Sequence, residues 1–289
     1  MRAAHFEYYA PSSLNEALEL LQSIEEAKIL AGGQSLTTLM KLRLASPQAL
    51  VDINGISELT HIRHEDNTIS IGALVRHDQV ARDPLIRQNL PLLSEAAAMI
   101  ADQQIRNRGT VGGSLAHADP TADLPTAILA TNSTIVTANV NGSRSIQSDD
   151  FFRDYFTTSL NQDEIIREVK IPVPSGGSGS AYLKLTRSHN DFAIVAVAVQ
   201  LTVHDGVCKT ANIVLGGVAS TPLHARGTEE LLKDRRLSSN VIEESARKAP
   251  EGLRPPSDVR ASADYRLQMV RKMTLRAVTI ATQRAQGDA

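Results

Sequence analysis

KILAGGQSL, residues 28–36, joins a short apolar run to a helix-like segment through two adjacent glycines. AKILA (27–31) has the length and composition of a buried strand, and it stops at Gly32-Gly33. A helix is expected to begin near Ser35. Glycine in such a turn accepts a positive φ and lets backbone N–H groups come close to a ligand. Gln34 and Ser35 add side-chain hydrogen bonds, and the first helical turn brings N–H groups with no partner of their own. Together these features suit an anion site of diphosphate size. By itself the stretch reads equally well as a plain tight turn, because neither G-x-G-x-x-G nor G-x-x-x-x-G-K-[ST] occurs in the chain.

Upstream, Ser13-Leu14-Asn15-Glu16 has the spacing of a capping box. Leu14, Ala17, Leu18, Leu21 and Ile24 mark one apolar helix face, and Ala49–Ile53 reads as a short strand. The opening is therefore a small α/β unit. Downstream the texture changes to α+β. TISIGAL (68–74) begins a strand, and 85–101 is helical with a break at Pro91. STIVTANV (133–140) leads into a tight turn at Asn141-Gly142, and EIIREVKIPVP (164–174) is a further strand.

SGGSGS (175–180) reads as a flexible joint. Beyond it, strands at 180–187, 191–203 and 207–219 predict a three-stranded antiparallel sheet, with a turn at Asp205-Gly206. Helices follow at about 225–234, 238–249 and 259–285. In the last, Arg266, Arg271, Lys272 and Arg276 read as a solvated basic face. The fold class is α+β, divided at 1–54, 55–177 and 178–289.

GTVGGS (109–114) has the same chemistry as the first loop: Thr110 and Ser114 offer hydroxyls, and Gly112-Gly113 would expose backbone. A carboxylate behind a phosphate loop suits a ribose or ribityl hydroxyl, and Asp123 has that place. Two such loops suggest one long dinucleotide gripped from two sides. His117, Asp119 and Asp123 form a poor metal set, since they offer one imidazole and match neither H-E-x-x-H nor an EF-hand. There is no G-x-S-x-G elbow for a nucleophilic serine.

Composition narrows the field further. The 289 residues are 42% hydrophobic and 21% charged, with a net charge of -2 and no tryptophan, which argues against nucleic-acid binding. No apolar run approaches the roughly 20 residues of a membrane span, and the N-terminus lacks a signal-peptide core. A cytoplasmic location is expected. Cys208 is the one cysteine, read as core filler, so this sequence offers no thiolate-held cluster and redox chemistry would need an organic cofactor.

ILAGGQSLTTLMKLRLASPQALVDI (29–53) and IRNRGTVGGSLAHADPTADLP (105–125) resemble the two flavin loops of the medium, FAD-binding subunit of molybdenum hydroxylases, the xanthine dehydrogenase and aerobic carbon monoxide dehydrogenase family. The likeness continues in order through DEIIREVKIP (163–172), AYLKLTRSHNDFAIVAVAV (181–199), GGVASTPLHARGTEELL (216–232) and SDVRASADYRLQMVRKMTLRAV (257–278). It implies an FAD-binding domain of the vanillyl-alcohol-oxidase (PCMH) type in two subdomains, plus a smaller C-terminal domain.

The resemblance also implies a cofactor site. Ile29, Leu30, Ala31, Gly32, Gly33, Gln34, Ser35 and Leu36 would hold FAD from one side, and Thr110, Val111, Gly112, Gly113 and Ser114 from the other. Ile100 and Ala101 would be an apolar wall, His117 would lie beside the cofactor, and Asp123 would hold a sugar or ribityl hydroxyl. Ile166 would pack on the flavin, and Lys184 would reach its polar edge. Asp191-Phe192 is either a cover for the ring or a strand start. The implied function is electron transfer from the [2Fe-2S] clusters of a small subunit, through FAD, to an external acceptor. Molybdopterin would sit on a large subunit, and the whole would form a dimer of heterotrimers. With Cys208 alone, the chain departs from the hydroxybenzoyl-CoA reductase type, which carries an additional cluster on this subunit. A free-standing flavin oxidase and a flavin-free assembly protein are the alternatives.

Overall fold

The structure is a computed structural model that describes residues 2–188 and 190–287. Its first layer is a small parallel sheet in the order β1 (Glu7–Tyr9), β3 (Ala49–Asp52), β2 (Ala27–Leu30). Helix α1 (Leu14–Ser23) buries Leu14, Ala17, Leu18 and Leu21, as the spacing predicts. Its cap differs in one detail. The Ser13 hydroxyl accepts from the Glu16 N–H, but the Glu16 carboxylate reaches back to the N–H of Ser12 instead of Ser13. Helix α2 (Leu36–Lys41) follows the glycine turn.

The middle layer is an antiparallel sheet, β4-β5-β10-β6-β7, built from Ile62–Glu65, Thr68–Gly72, Ile165–Pro172, Thr134–Asn139 and Gly142–Gln147. Between β7 and β10 lies a small hairpin, β8 (Phe152–Asp154) and β9 (Thr157–Thr158). Six helices fall between β5 and β6: α3 (His77–Arg82), α4 (Pro84–Asn89), α5 (Pro91–Ala98), α6 (Gln103–Arg106), α7 (Val111–His117) and α8 (Asp123–Ala130). Pro91 stands at the first position of α5, where its missing N–H costs no helical hydrogen bond. Strand residues Ile69, Ile71, Ile135 and Val169 share one core with Val80, Leu92, Leu115 and Ile128 of the helices. On the other side, Ala138 and Ile165 pack with Leu14, Leu18 and Leu21 of α1.

The last sheet is β11 (Ser178–Leu185), β12 (Val195–His204), β13 (Val207–Gly216) and the two-residue β14 (Leu223–His224), followed by α9 (Arg226–Leu232), α10 (Ser239–Lys248) and α11 (Ala263–Gln286). Strand β12 is buried on both faces, which explains its unbroken apolar run. Ala196 and Ala198 face the helices of the middle layer, while Val195, Val197, Val199 and Leu201 face Val270, Ala277 and Ala281 of α11. Small residues thus meet one layer and branched residues the other.

Several expectations need correction. The C-terminal sheet has a fourth strand, β14, pinned by two pairs to β13. Strand β12 begins at Val195, so 190–194 is a loop and Asp191-Phe192 is not a strand start. The second glycine stretch is not an open loop: Thr110 caps α7, and Gly112-Gly113 lie in its first turn. Arg266 is no part of a solvated face, for it is 1% exposed, whereas Arg271, Lys272 and Arg276 are exposed as expected. Cys208 is buried, and burial pushes its thiol up to about 11. Among the described residues, no helix is long and apolar enough to cross a membrane.

SGGSGS is only half a joint. Ser178, Gly179 and Ser180 belong to β11, and a Cβ on Gly179 would overlap the carbonyl oxygen of Ala281 and lie 2.5 Å from the N of Ala285. Gly179 is therefore what lets α11 lie on the sheet. Gly176, three residues earlier, has nothing near a Cβ position. Gly179→Ala is expected to lower stability by about 2 kcal/mol through overpacking, while Gly176→Ala should stay within about 0.5 kcal/mol of the parent in urea denaturation.

Candidate functional site

The two glycine stretches meet. A Cβ on Gly32 would strike the Arg108 carbonyl oxygen and lie 2.8 Å from the Cα of Gly109, so only glycine permits this approach of backbone to backbone. Gly33 takes φ +73, which turns the chain from β2 into α2. The pairing is held by side chains. Asn54 Nδ2 donates to the Ala31 carbonyl at 2.8 Å, Arg76 donates to Asn54 Oδ1 at 2.7 Å, and Arg76 also donates to the Arg108 carbonyl at 2.5 Å. Neither Asn54 nor Arg76 was predicted. Asn54-Gly55 carries a turn signal, but nothing in the sequence says that its amide reaches back to the first loop.

Between the stretches and the middle sheet runs a cleft of about 900 Å³. That is near the upper end of the roughly 300–1,000 Å³ usual for small-molecule sites. Of the residues expected to form a site, Ile29, Ala31, Gly32, Gly33, Gln34, Ser35, Leu36, Ile100, Ala101, Thr110, Gly112, Gly113, Ser114, His117, Asp123, Ile166 and Lys184 line it. Leu30 and Val111 do not; Val111 is buried in the core of the middle layer. In β10, ordinary strand alternation sends Ile165 to the core beside α1 and Ile166 to the core beside the helices, and both line the cleft; a register shift between Ile166 and Glu168 then lets Val169 face the same core as Ile166.

The two stretches contribute differently. Among the described residues, the backbone N–H groups of Gly32, Gly33, Gln34, Ser35 and Leu36 donate to no group of the protein. In the second stretch most donors are spent: Val111 N–H goes to the Val75 carbonyl, Gly112 N–H to that of Ala73, and Gly113 N–H to the Thr110 hydroxyl, while among the described residues the Thr110 N–H donates to no group of the protein. Gly112 is required by packing, since its Cβ would lie 2.6 Å from that of Ala73. The first stretch therefore supplies a row of backbone donors, and the second supplies hydroxyls, shape and the single free N–H of Thr110. Five free N–H groups in a cleft meet an anionic group such as a diphosphate without further help.

Arg106 supports the apolar wall, donating to the carbonyls of Ile100 and Ala101 at 2.8 and 2.9 Å, which fixes Ala101 at φ 35. Lys184 and Asp123 form a buried pair, 2.9 Å apart and 4% and 6% exposed. Lys184 also donates to the Met99 carbonyl, and the Tyr182 hydroxyl donates to Asp123 at 2.8 Å. Burial pushes the Asp123 carboxyl above its ordinary value, against the pull of Lys184 and both hydrogen bonds. The site thus holds a neutralised pair where the sequence suggested a lone cation and a lone sugar ligand. The His117 ring lies 5.2 Å from that of Phe156, and burial lowers its pKa. Phe156 from the β8–β9 turn, Thr157 at the start of β9, and Asp191 and Phe192 complete the walls. The hairpin escaped sequence reading because its strands are three and two residues long. No group of His, Cys, Asp and Glu among the described residues is arranged to hold a metal.

This architecture has close relatives. Residues 4–174 match the family of FAD binding domains in molybdopterin dehydrogenase, and residues 180–281 match the CO dehydrogenase flavoprotein C-terminal domain. The chain belongs to that family: it is an oxidoreductase subunit carrying an FAD-binding domain. It is 42% identical to the 6-hydroxypseudooxynicotine dehydrogenase complex subunit alpha of Paenarthrobacter nicotinovorans, over 99% of this chain and 97% of that one. Among solved structures it resembles carbon monoxide dehydrogenase from Hydrogenophaga pseudoflava, with a TM-score of 0.95 at 39% identity over 97% and 98% of the two chains. Quinoline 2-oxidoreductase from Pseudomonas putida 86 gives 0.94 at 35% identity over 100% and 99%.

His77 gives a test of the local electrostatics. It is buried, its Nδ1 has no partner among the described residues, and burial with nearby Arg76 and Arg106 lowers its pKa to about 4. The folded chain then stays unprotonated at this site while the unfolded chain binds a proton near pH 6.5. Stability is full above that pH and falls as pH drops toward 4, by about 3 kcal/mol in total. Denaturation midpoints at pH 7.5 and 4.5 should converge in His77→Gln relative to the parent; an equally steep fall in the variant contradicts this.

Proposed function

We propose that this chain is the FAD-binding electron-transfer subunit of a molybdenum hydroxylase complex. It would accept electrons from the [2Fe-2S] clusters of a small subunit and pass them to an external acceptor. The observation that carries the reading is the row of free N–H groups from Gly32 to Leu36 in a long cleft, in a chain of this family. FAD would supply the redox chemistry, taking up and releasing electrons.

The residues of the chain hold and tune. The diphosphate would lie on the N–H groups of residues 32–36, with Gln34, Ser35, Thr110 and Ser114 offering side-chain hydrogen bonds from either side. Leu30 and Val111 would act from behind, by setting the backbone that precedes each stretch. Gly112 and Gly113 would keep the second wall thin. Ile29, Ile100, Ala101, Ile165 and Ile166 give an apolar lining that excludes water from the ring system. His117 and Phe156 close one end. Lys184 would present its remaining proton to the flavin's polar edge, with Asp123 limiting the net charge it brings.

The organic substrate would be transformed on a large molybdopterin subunit, so no acid or base of this chain need touch it. Relatives whose names mention a nicotine derivative, carbon monoxide and quinoline fit that division of labour. Three units, 1–54, 55–177 and 178–289, a dimer of heterotrimers and a cytoplasmic location complete the proposal. The core shared between β12 and the middle helices suits an arrangement in which the last unit stiffens the cleft.

Two experiments test it. Anaerobic addition of the dithionite-reduced small subunit to the FAD-loaded chain should bleach the flavin absorbance as the clusters reoxidise. A flavin that stays oxidised beside a reduced small subunit contradicts the function. In a spectroelectrochemical titration, Lys184→Met should lower the flavin potential and Asp123→Asn raise it, each on the order of 30 mV, a tenfold change in a two-electron equilibrium. Shifts of the same sign would contradict the opposed roles of the pair.

A further inference from the structure

The loop that carries Phe192 into the cleft is tied at its base by backbone bonds, Asp191 N–H to the Ser188 carbonyl at 3.3 Å and Ile194 N–H to the Leu185 carbonyl at 2.7 Å. Its side-chain anchors come from the segment 257–266, just before and within the start of α11. Asp258 organises that segment, accepting from the N–H groups of Arg260 and Ala261 at 2.9 and 3.0 Å and from Arg266 at 2.8 Å. Burial, the largest single influence, pulls the Asp258 carboxyl up, and the hydrogen bonds from Ala261, Arg260 and Arg266 with the Arg266 charge together outweigh it and hold the group below its ordinary value. Arg266, fully buried, donates on to the carbonyls of Ile194 and Gly217 at 2.5 and 2.9 Å, and so anchors the end of the Phe192 loop. At the loop's start, Arg187 donates to the Val259 carbonyl at 3.1 Å.

Between those anchors stands Arg260. Its guanidinium lies 5.7 Å from the centroid of the Phe192 ring, and its Nε is 3.4 Å from the Asp191 carboxylate. Asp191 in turn accepts from the N–H of Phe192 at 2.7 Å. One cation therefore grips both the ring and the carboxylate that fixes its backbone. Phe192 is 46% exposed and lines the cleft, so its pose is not set by core packing. A half-exposed ring without such a contact has several rotamers open to it.

We propose that Arg260 is a positioning residue: through Phe192 it sets how far the cleft is open to a small external electron acceptor. The Phe192 ring both lines the cleft and meets solvent, so an acceptor arriving from solvent would pass it, and the guanidinium that holds it lies outside the cleft lining. Among the described residues, the Lys184–Asp123 pair bonds only with itself, Tyr182 and the Met99 carbonyl, so the device acts on access and leaves the charge inside unchanged. The inference rests on the cleft holding FAD.

The test uses the full chain loaded with FAD, reduced with dithionite and mixed with p-benzoquinone in a stopped-flow instrument. This acceptor is uncharged, so losing the Arg260 charge does not alter its encounter with the protein. Arg260→Gln is expected to speed flavin reoxidation about threefold to fivefold, the population change that loss of one exposed cation–π contact allows. Phe192→Ala should be at least as fast, and adding Arg260→Gln to it should change nothing further. Arg260→Lys, which keeps a cation at the ring, should lie between Arg260→Gln and the parent. Flavin content, potential and thermal midpoint should match the parent in Arg260→Gln. An unchanged rate in Arg260→Gln, or a further increase on top of Phe192→Ala, overturns the inference while leaving the proposed function intact. A parent chain that takes up no FAD overturns both.

Discussion

The contact of Gly32 with the Arg108–Gly109 backbone is the constraint on which the site depends. It brings the end of a parallel strand from the first layer against the segment before α7 in the middle layer, and no side chain fits between them. Everything that lines the cleft is placed relative to that contact. The turn at Gly33 then aims α2 away, leaving its first N–H groups without partners. Arg76 and Asn54 lock the contact from the side, spending three hydrogen bonds on two carbonyls and each other. Such a fixed row of donors needs no reorganisation to meet an anion, and preorganisation of this kind raises affinity without new contacts.

The interior of the cleft is arranged by the same economy of charge. A lone ammonium at Lys184 buried to this depth would be costly, and Asp123 removes that cost while Tyr182 holds the carboxylate in place. The pair sits where β11 meets the start of α8, so two layers must be correctly docked before it can form. The last unit, far in sequence from the glycine stretches, is thus part of the site: it supplies Lys184 from β11 and Phe192 from the loop before β12. That dependence gives the long helix α11 a functional consequence, since Gly179 lets it lie close and Arg266 ties it to the Phe192 loop.

Much of this was legible in the sequence because it follows from local chemistry. Strand, glycine pair and helix were readable in AKILAGGQSL, and α1, the Pro91 break and the Asn141-Gly142 hairpin follow from spacing and turn residues. Most of the residues expected at the site do line one cleft. What escaped was set by tertiary packing. Arg266 has the same surroundings in sequence as Arg271 and Arg276, yet it alone is drawn inside by two carbonyls that only the folded sheet presents. Gly112 looked like exposed backbone and is instead packed on Ala73. SGGSGS looked flexible and is partly a strand under a helix. Strands of two or three residues, such as β8, β9 and β14, carry too little pattern to be seen, though the first two bring Phe156 to the cleft.

The central claim is that the N–H groups of residues 32–36 hold the diphosphate of a flavin dinucleotide. Its most direct measurement is equilibrium binding of FAD and of riboflavin, which lacks the diphosphate, to the flavin-free chain. The account predicts uptake of one FAD per chain and far weaker binding of riboflavin, because the free donors would then have nothing to hold. Equal affinity for the two, or no uptake of FAD at all, would contradict it.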